Sequence, residues 1–153
     1  MLNTQLVQDG EIPVYSANVF APFGYINDSI IDDFSIPSVI WGIDGDWMTN
    51  TIQENTKFYP TDHTGVIRCK TSDVNPYYLC HILELKGKEM GFSRSNRAST
   101  DRIKSIKFIA CDRQTQDKYM EQIISLYQKI NVLSEANVNS NLKIKGILDK
   151  YLT

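Results

Sequence analysis

No lysine or arginine occurs in the first 56 residues of this 153-residue chain, a stretch that holds eight aspartates and glutamates. That stretch by itself repels polyanions. Histidine is scarce, with only His63 and His81, and the three cysteines, Cys69, Cys80 and Cys111, form no CxxC pair. The spacing of a zinc site is missing, so no metal is expected and free thiols are the default. No apolar run approaches the ~20 residues of a membrane-spanning helix. The opening "MLNTQLVQDG" lacks the basic start and apolar core of a signal peptide, and a cytoplasmic chain is expected. Internal repeats and low-complexity tracts are not evident.

What is present describes a soluble globular protein. Hydrophobic residues at 42% and charged residues at 22% give no case for disorder or a fibrous repeat. The length fits one domain with a short appendage. The net charge of −2 hides an asymmetry: residues 57–85 balance, whereas residues 86–113 carry eight cations (Lys86, Lys88, Arg94, Arg97, Arg102, Lys104, Lys107, Arg113) against three acids. Residues 114–153 are nearly neutral, with five cations against four acids. Within a Debye length of ~8–10 Å, local field rather than net charge selects a partner. A polyanion is therefore admitted at 86–113, on the expectation that the acidic half points elsewhere.

The pattern along the chain predicts an α+β fold, with a mixed or antiparallel sheet, a packed helix and a coiled-coil-like C-terminal arm. Strands are expected at "IPVYS" (12–16), "FGYIN" (23–27) and "PSVIWG" (37–42), with a tight turn at "GIDGDW" (42–47). Two more, "KFYP" (57–60) and "GVIRCK" (65–70), are joined by the polar turn "TDHT". A helix opens at the N-cap Asn75 with Pro76 in its first position, carries Tyr78, Leu79, Ile82 and Leu83 on one face, and is expected to stop at Gly87. "IKSIKFIA" (103–110) alternates and predicts a strand. From Asp112 a long helix carries Met120, Ile123, Tyr127 and Ile130 at three-and-four spacing, widened by Ile124 and Leu126, and ends near Ser134. "NVNSN" (137–141) is read as a break before a second helix at 142–152. The domain expectation is a body over 1–111 and a helical arm over 112–153.

The order of these pieces resembles the target recognition domain of type I restriction-modification specificity subunits. The resemblance rests on "GEIPVYSAN" (10–18), "SVIWGIDGD" (38–46), "TGVIRCK" (64–70), "NPYYLCHIL" (75–83), a small-residue loop, and "IKSIKFIACDRQTQDKYMEQI" (103–123). It departs from the family where "ACDRQT" replaces the usual Pro-Pro before the helix, and fewer residues precede "GEIPVYS". The resemblance implies a non-catalytic subunit part that reads one half-site of a bipartite double-stranded DNA target. It also implies methyltransferase and restriction subunits as partners, S-adenosylmethionine on the methyltransferase subunit and not here, and a second recognition domain or a homodimer through the arm.

The loop "GFSRSNRAST" (91–100) supplies the side chains that such a role uses. Arginine forks onto guanine O6 and N7, asparagine pairs with adenine, and serine or backbone N–H groups hold phosphates. Ser93, Arg94, Asn96 and Arg97 are the candidates there, and Tyr15, Ser16 and Asn18 form a second group where a strand leaves for a polar loop. The plainer reading of the 91–100 loop is a solvated connector. Asp44 and Asp46 suit a structural turn better than a cytosine contact or a cation, and Trp41 and Trp47 suit packing better than base stacking. The apolar stripe Met120, Ile123, Tyr127, Ile130 is expected to cover itself with another helix, from the 142–152 segment, a second copy or a methyltransferase subunit.

An enzyme finds little support. "NPYY" (75–78) lacks the second proline of the adenine-methyltransferase motif, no glycine-rich cofactor loop follows a strand, and "ELK" (84–86) has no placed upstream aspartate. Two histidines and no nucleophile elbow leave no triad to argue. A protein-interaction module acting through the C-terminal helix remains the alternative.

Overall fold

The computed structural model describes residues 6–108 and 111–152, and the side chains at 127, 131, 141 and 146–152 stand outside the described residues. The elements run β1 (Ile12–Tyr15), β2 (Gly24–Ile26), β3 (Ser38–Gly42), β4 (Thr49–Ile52), β5 (Tyr59–Pro60), β6 (Thr64–Arg68), α1 (Pro76–Glu89), α2 (Thr100–Ser105) and α3 (Arg113–Leu152). The fold is α+β. The chain divides into two compact units, Met1–Gln116 and Asp117–Thr153.

In the first unit two three-stranded sheets form, ordered β2-β1-β5 and β4-β3-β6. β1 pairs antiparallel with β2 and parallel with β5, while β3 pairs antiparallel with both neighbours. All five residues of β3 are buried. Because successive side chains alternate, Val39 and Trp41 join one core with Leu79, Leu83, Phe92, Ala98 and Ile103, and Ile40 joins the other with Val19, Ile52 and Phe58. Gly65 faces Trp41 in the β3–β6 register, and a Cβ there would lie 2.1 Å from the indole ring. Only glycine leaves room for the ring across β6.

α1 begins as its sequence predicts, with the Asn75 side chain accepting from the N–H groups of Tyr77 and Tyr78. It does not stop at Gly87. The helix runs to Glu89 and ends in a left-handed Gly91 (φ 66°), whose N–H donates to Lys88 O while Phe92 N–H donates to Gly87 O. Gly87 serves packing: a Cβ there would meet the Trp47 ring at 2.1 Å.

"KFYP" and "GVIRCK" each contribute a strand, joined by the 61–63 turn, with β5 beside β1 and β6 beside β3. Two other expectations are corrected. "IKSIKFIA" is not a strand over its described part: Thr100–Ser105 is helical, and Ile103 and Ile106, three apart, pack on the same core. Helical spacing and strand alternation coincide too closely over so short a stretch to separate them. Ile109 and Ala110 lie outside the described residues. The break at "NVNSN" is absent too, because α3 is helical throughout its 40 residues. Asparagine and serine weaken a helix but leave its N–H donors in place, and Ser140 Oγ returns a hydrogen bond to Ala136 O at 2.9 Å.

Candidate functional site

The 91–99 loop is built, and little of it resembles a loose connector. Its ends are pinned by Phe92 and Ala98, both buried, and Ser93 and Asn96 exchange backbone hydrogen bonds at 3.0 and 3.1 Å. The Asn96 amide donates to the carbonyls of Met90 and Gly91 at 3.0 and 2.9 Å, closing the end of α1. Its oxygen accepts from Arg102 Nη1, which also donates to Arg97 O, and the Arg102 guanidinium lies 4.7 Å from the Phe92 ring centre. Both Asn96 donors are therefore engaged inside the loop. Arg94 and Arg97 remain outward, with side chains 81% and 60% exposed.

Those two arginines face acids from the segment expected to point elsewhere. Arg97 Nη2 donates to Asp44 Oδ1 at 2.7 Å, and Arg94 Nε lies 3.6 Å from Asp46 Oδ1. The other Asp44 oxygen sits 2.5 Å from His63 Nδ1. Burial pushes the Asp44 carboxyl up, but hydrogen bonds from Arg97 and His63 and their charges outweigh it and bring the group below the usual carboxylate range. Two acids of the acidic half, Asp44 and Asp46, thus meet the basic loop, which corrects the expectation that this half points elsewhere.

The β3–β4 turn gathers the other candidates. A Cβ on Gly42 would lie 2.3 Å from Ala17 O, Ile43 N–H donates to His63 O at 2.9 Å, and Ala98 N–H donates to Ile43 O at 3.0 Å. The loop after β1, the 61–63 turn and the arginine loop all meet it. Thr64 Oγ1 donates to the carbonyls of Tyr15 and Ser16, both at 2.8 Å. The Tyr15 ring packs edge-on against Phe58, and burial, with Tyr25 adding to it, pushes its hydroxyl pKa up. Asn18 accepts from the N–H groups of Phe20 and Ala21, a local turn that leaves the residue exposed. Trp41 and Trp47 are packed, with indole N–H groups donating to Ala98 O and Glu84 O. No group of three or more metal-ligating side chains occurs among the described residues.

Sequence reasoning missed the Asp44 pairings and Gln116. Glycine alternation marked "GIDGD" as a turn, but nothing local signals a partner 53 residues away. Along α3, Met120 is buried, Ile123 half-buried and Ile130 exposed, and the Tyr127 side chain lies outside the described residues. With the helix continuous, Ile123, Leu126, Ile130, Leu133, Asn137, Ser140 and Ile144 follow one alternating three-four spacing. No described helix is long and apolar enough to cross a membrane.

In fold, the chain is similar to the type I restriction-modification system S subunit from M. genitalium, with a TM-score of 0.60 and 15% sequence identity over 86% of this chain. The likeness is one of fold. The match covers 35% of that subunit, so the chain spans about a third of its length. No protein-family model matches the chain, and no curated protein does.

Proposed function

We propose that the chain reads one half-site of a bipartite double-stranded DNA target as part of a restriction-modification specificity subunit, and performs no chemistry itself. The observation that carries this reading is the rigid loop that turns Arg94 and Arg97 outward on a fold like that of an S subunit. Arg94 and Arg97 contact phosphates and a guanine edge, and Ser93 adds a phosphate contact. Tyr15, Ser16 and Asn18 line the neighbouring loop across the groove. Asn96 shapes the arginine loop, and reading adenine would require it to surrender Met90 O and Gly91 O.

The partners proposed are methyltransferase and restriction subunits, with α3 meeting one of them, a second recognition domain or a second copy of the chain. S-adenosylmethionine belongs on the methyltransferase subunit. Calorimetric titration of this chain with S-adenosylmethionine is expected to give no saturable signal, and a saturable one contradicts a purely recognitive role.

A protein-interaction module is the second reading, favoured by the exposed apolar row Leu126, Ile130, Leu133 and Ile144 on α3. Duplex binding at two salt concentrations separates the two. A recognition domain loses affinity steeply as salt rises, whereas an interaction module shows no duplex binding at either concentration.

A further inference from the structure

We infer that Asp44 is a specificity-determining positioning residue: it holds Arg97 toward a base edge and cancels that arginine's charge toward phosphates, an inference that rests on the DNA-reading proposal above. The carboxylate is clamped from two sides, by Arg97 Nη2 at 2.7 Å and by His63 Nδ1 at 2.5 Å. The backbone beneath it is fixed, because Ile43 N–H donates to His63 O and Ala98 N–H donates to Ile43 O. Asp44 is also the more sheltered partner, 29% exposed against 60% for Arg97. An arginine that exposed would otherwise lose considerable rotamer entropy on docking. Anchored through one Nη2 hydrogen, it keeps the other donors of its fork for a ligand.

The Arg94 pair differs in kind. Its Nε stands 3.6 Å from Asp46 Oδ1, with both side chains largely exposed at 81% and 71%. Such a pair is weak and screened, so Arg94 exchanges Asp46 for a phosphate at little cost. The asymmetry assigns base reading to Arg97 and phosphate contact to Arg94. A carboxylate beside Arg97 subtracts attraction to phosphates on every sequence alike, yet leaves the fork matched to the neutral acceptor pair of guanine. The result is a larger ratio of specific to non-specific binding.

The test uses the full chain and a pool of random-sequence duplexes, measuring pool affinity at two salt concentrations and the base preference of the bound fraction. Asp44→Asn is expected to raise pool affinity about fivefold, the size of one contact-distance charge interaction in water. It should also steepen the salt slope by about one and flatten the preference at one base position. Arg97→Lys keeps the charge and loses the fork, so it should flatten the same position without raising pool affinity. An Asp44→Asn chain that still unfolds in one cooperative transition and keeps both its pool affinity and its preference overturns the inference. If Asp44→Asn fails to fold, an unchanged preference in Arg97→Lys overturns it instead. The two levels separate: Arg94→Ala with Arg97→Ala leaving binding unchanged removes the DNA reading itself, whereas an effect there with none from Asp44→Asn removes only the role of Asp44.

Discussion

The carboxamide of Gln116, fully buried, donates to the carbonyls of Asp73 and Cys111 at 3.0 and 2.7 Å and accepts from Asn75 N–H at 2.8 Å. One side chain thus ties the cap of α1 to the start of α3. Replacing it with leucine strands the buried Asn75 N–H and takes a donor from the Asp73 and Cys111 carbonyls, and urea unfolding is expected to show a loss on the order of 2 kcal/mol. Gly87→Ala gains about 1 kcal/mol of helix propensity but forces a Cβ against the Trp47 ring, and overpacking of ~1–3 kcal/mol makes it a net destabilisation, read as a lower melting temperature. Asp44 makes a pH prediction. Its folded pKa is depressed, so its contribution is present above the unfolded value and disappears as pH falls through the folded one. The melting-temperature advantage of wild type over Asp44→Asn should therefore shrink in acid, and an advantage constant with pH contradicts the pairing. None of these three roles is legible in the sequence, because each depends on a partner about 40 or more residues away.

At the scale of elements, the sequence was readable wherever local chemistry and burial agree. β1, β2, β3 and the start of α1 lie where alternation, turns and the Asn75-Pro76 cap place them. β4, with the sequence TNTI, offered no apolar alternation, although pairing with β3 buries Thr49 and Ile52. α2 deceived because Ile103 and Ile106 satisfy a strand and a single helical turn alike. In α3 a cluster of polar residues suggested a break that their hydrogen-bonding capacity does not require. Its continuity removes the 142–152 segment as a cover folded back on the stripe, so the proposed cover is a second copy or a methyltransferase subunit. Asn137 and Ser140 occupy positions of the proposed seam, where a polar residue selects register at some cost in stability. Ile123→Glu with Ile130→Glu is expected to abolish association through α3 in sedimentation, alone and with a methyltransferase subunit. A strict monomer in both settings, unchanged by the substitutions, contradicts an intermolecular seam.

Across the whole molecule, charge is arranged by the fold more than by the segment. At least four of the eight cations in 86–113 face carboxylates: Lys86 on Glu89, Lys88 on Glu84, Arg94 on Asp46 and Arg97 on Asp44. Counting by segment located the basic loop correctly and missed its neutralisation, since the Asp44 and Asp46 turn reaches it only through the β3–β4 connection. On the proposed reading, a loop whose cations are largely paired attracts DNA weakly in general, with Arg94 free to exchange its partner and Arg97 held by Asp44, which suits selective rather than indiscriminate contact. The most direct test of that reading is Arg94→Ala with Arg97→Ala in the assembled restriction-modification complex, measured at two salt concentrations. A lost phosphate contact should reduce the salt slope by about one on every sequence, and a lost base contact should cost ~1–3 kcal/mol and relax choice at one position. If affinity, salt slope and site choice all remain as in the wild type, the loop is a solvated connector and the chain does not read DNA through it.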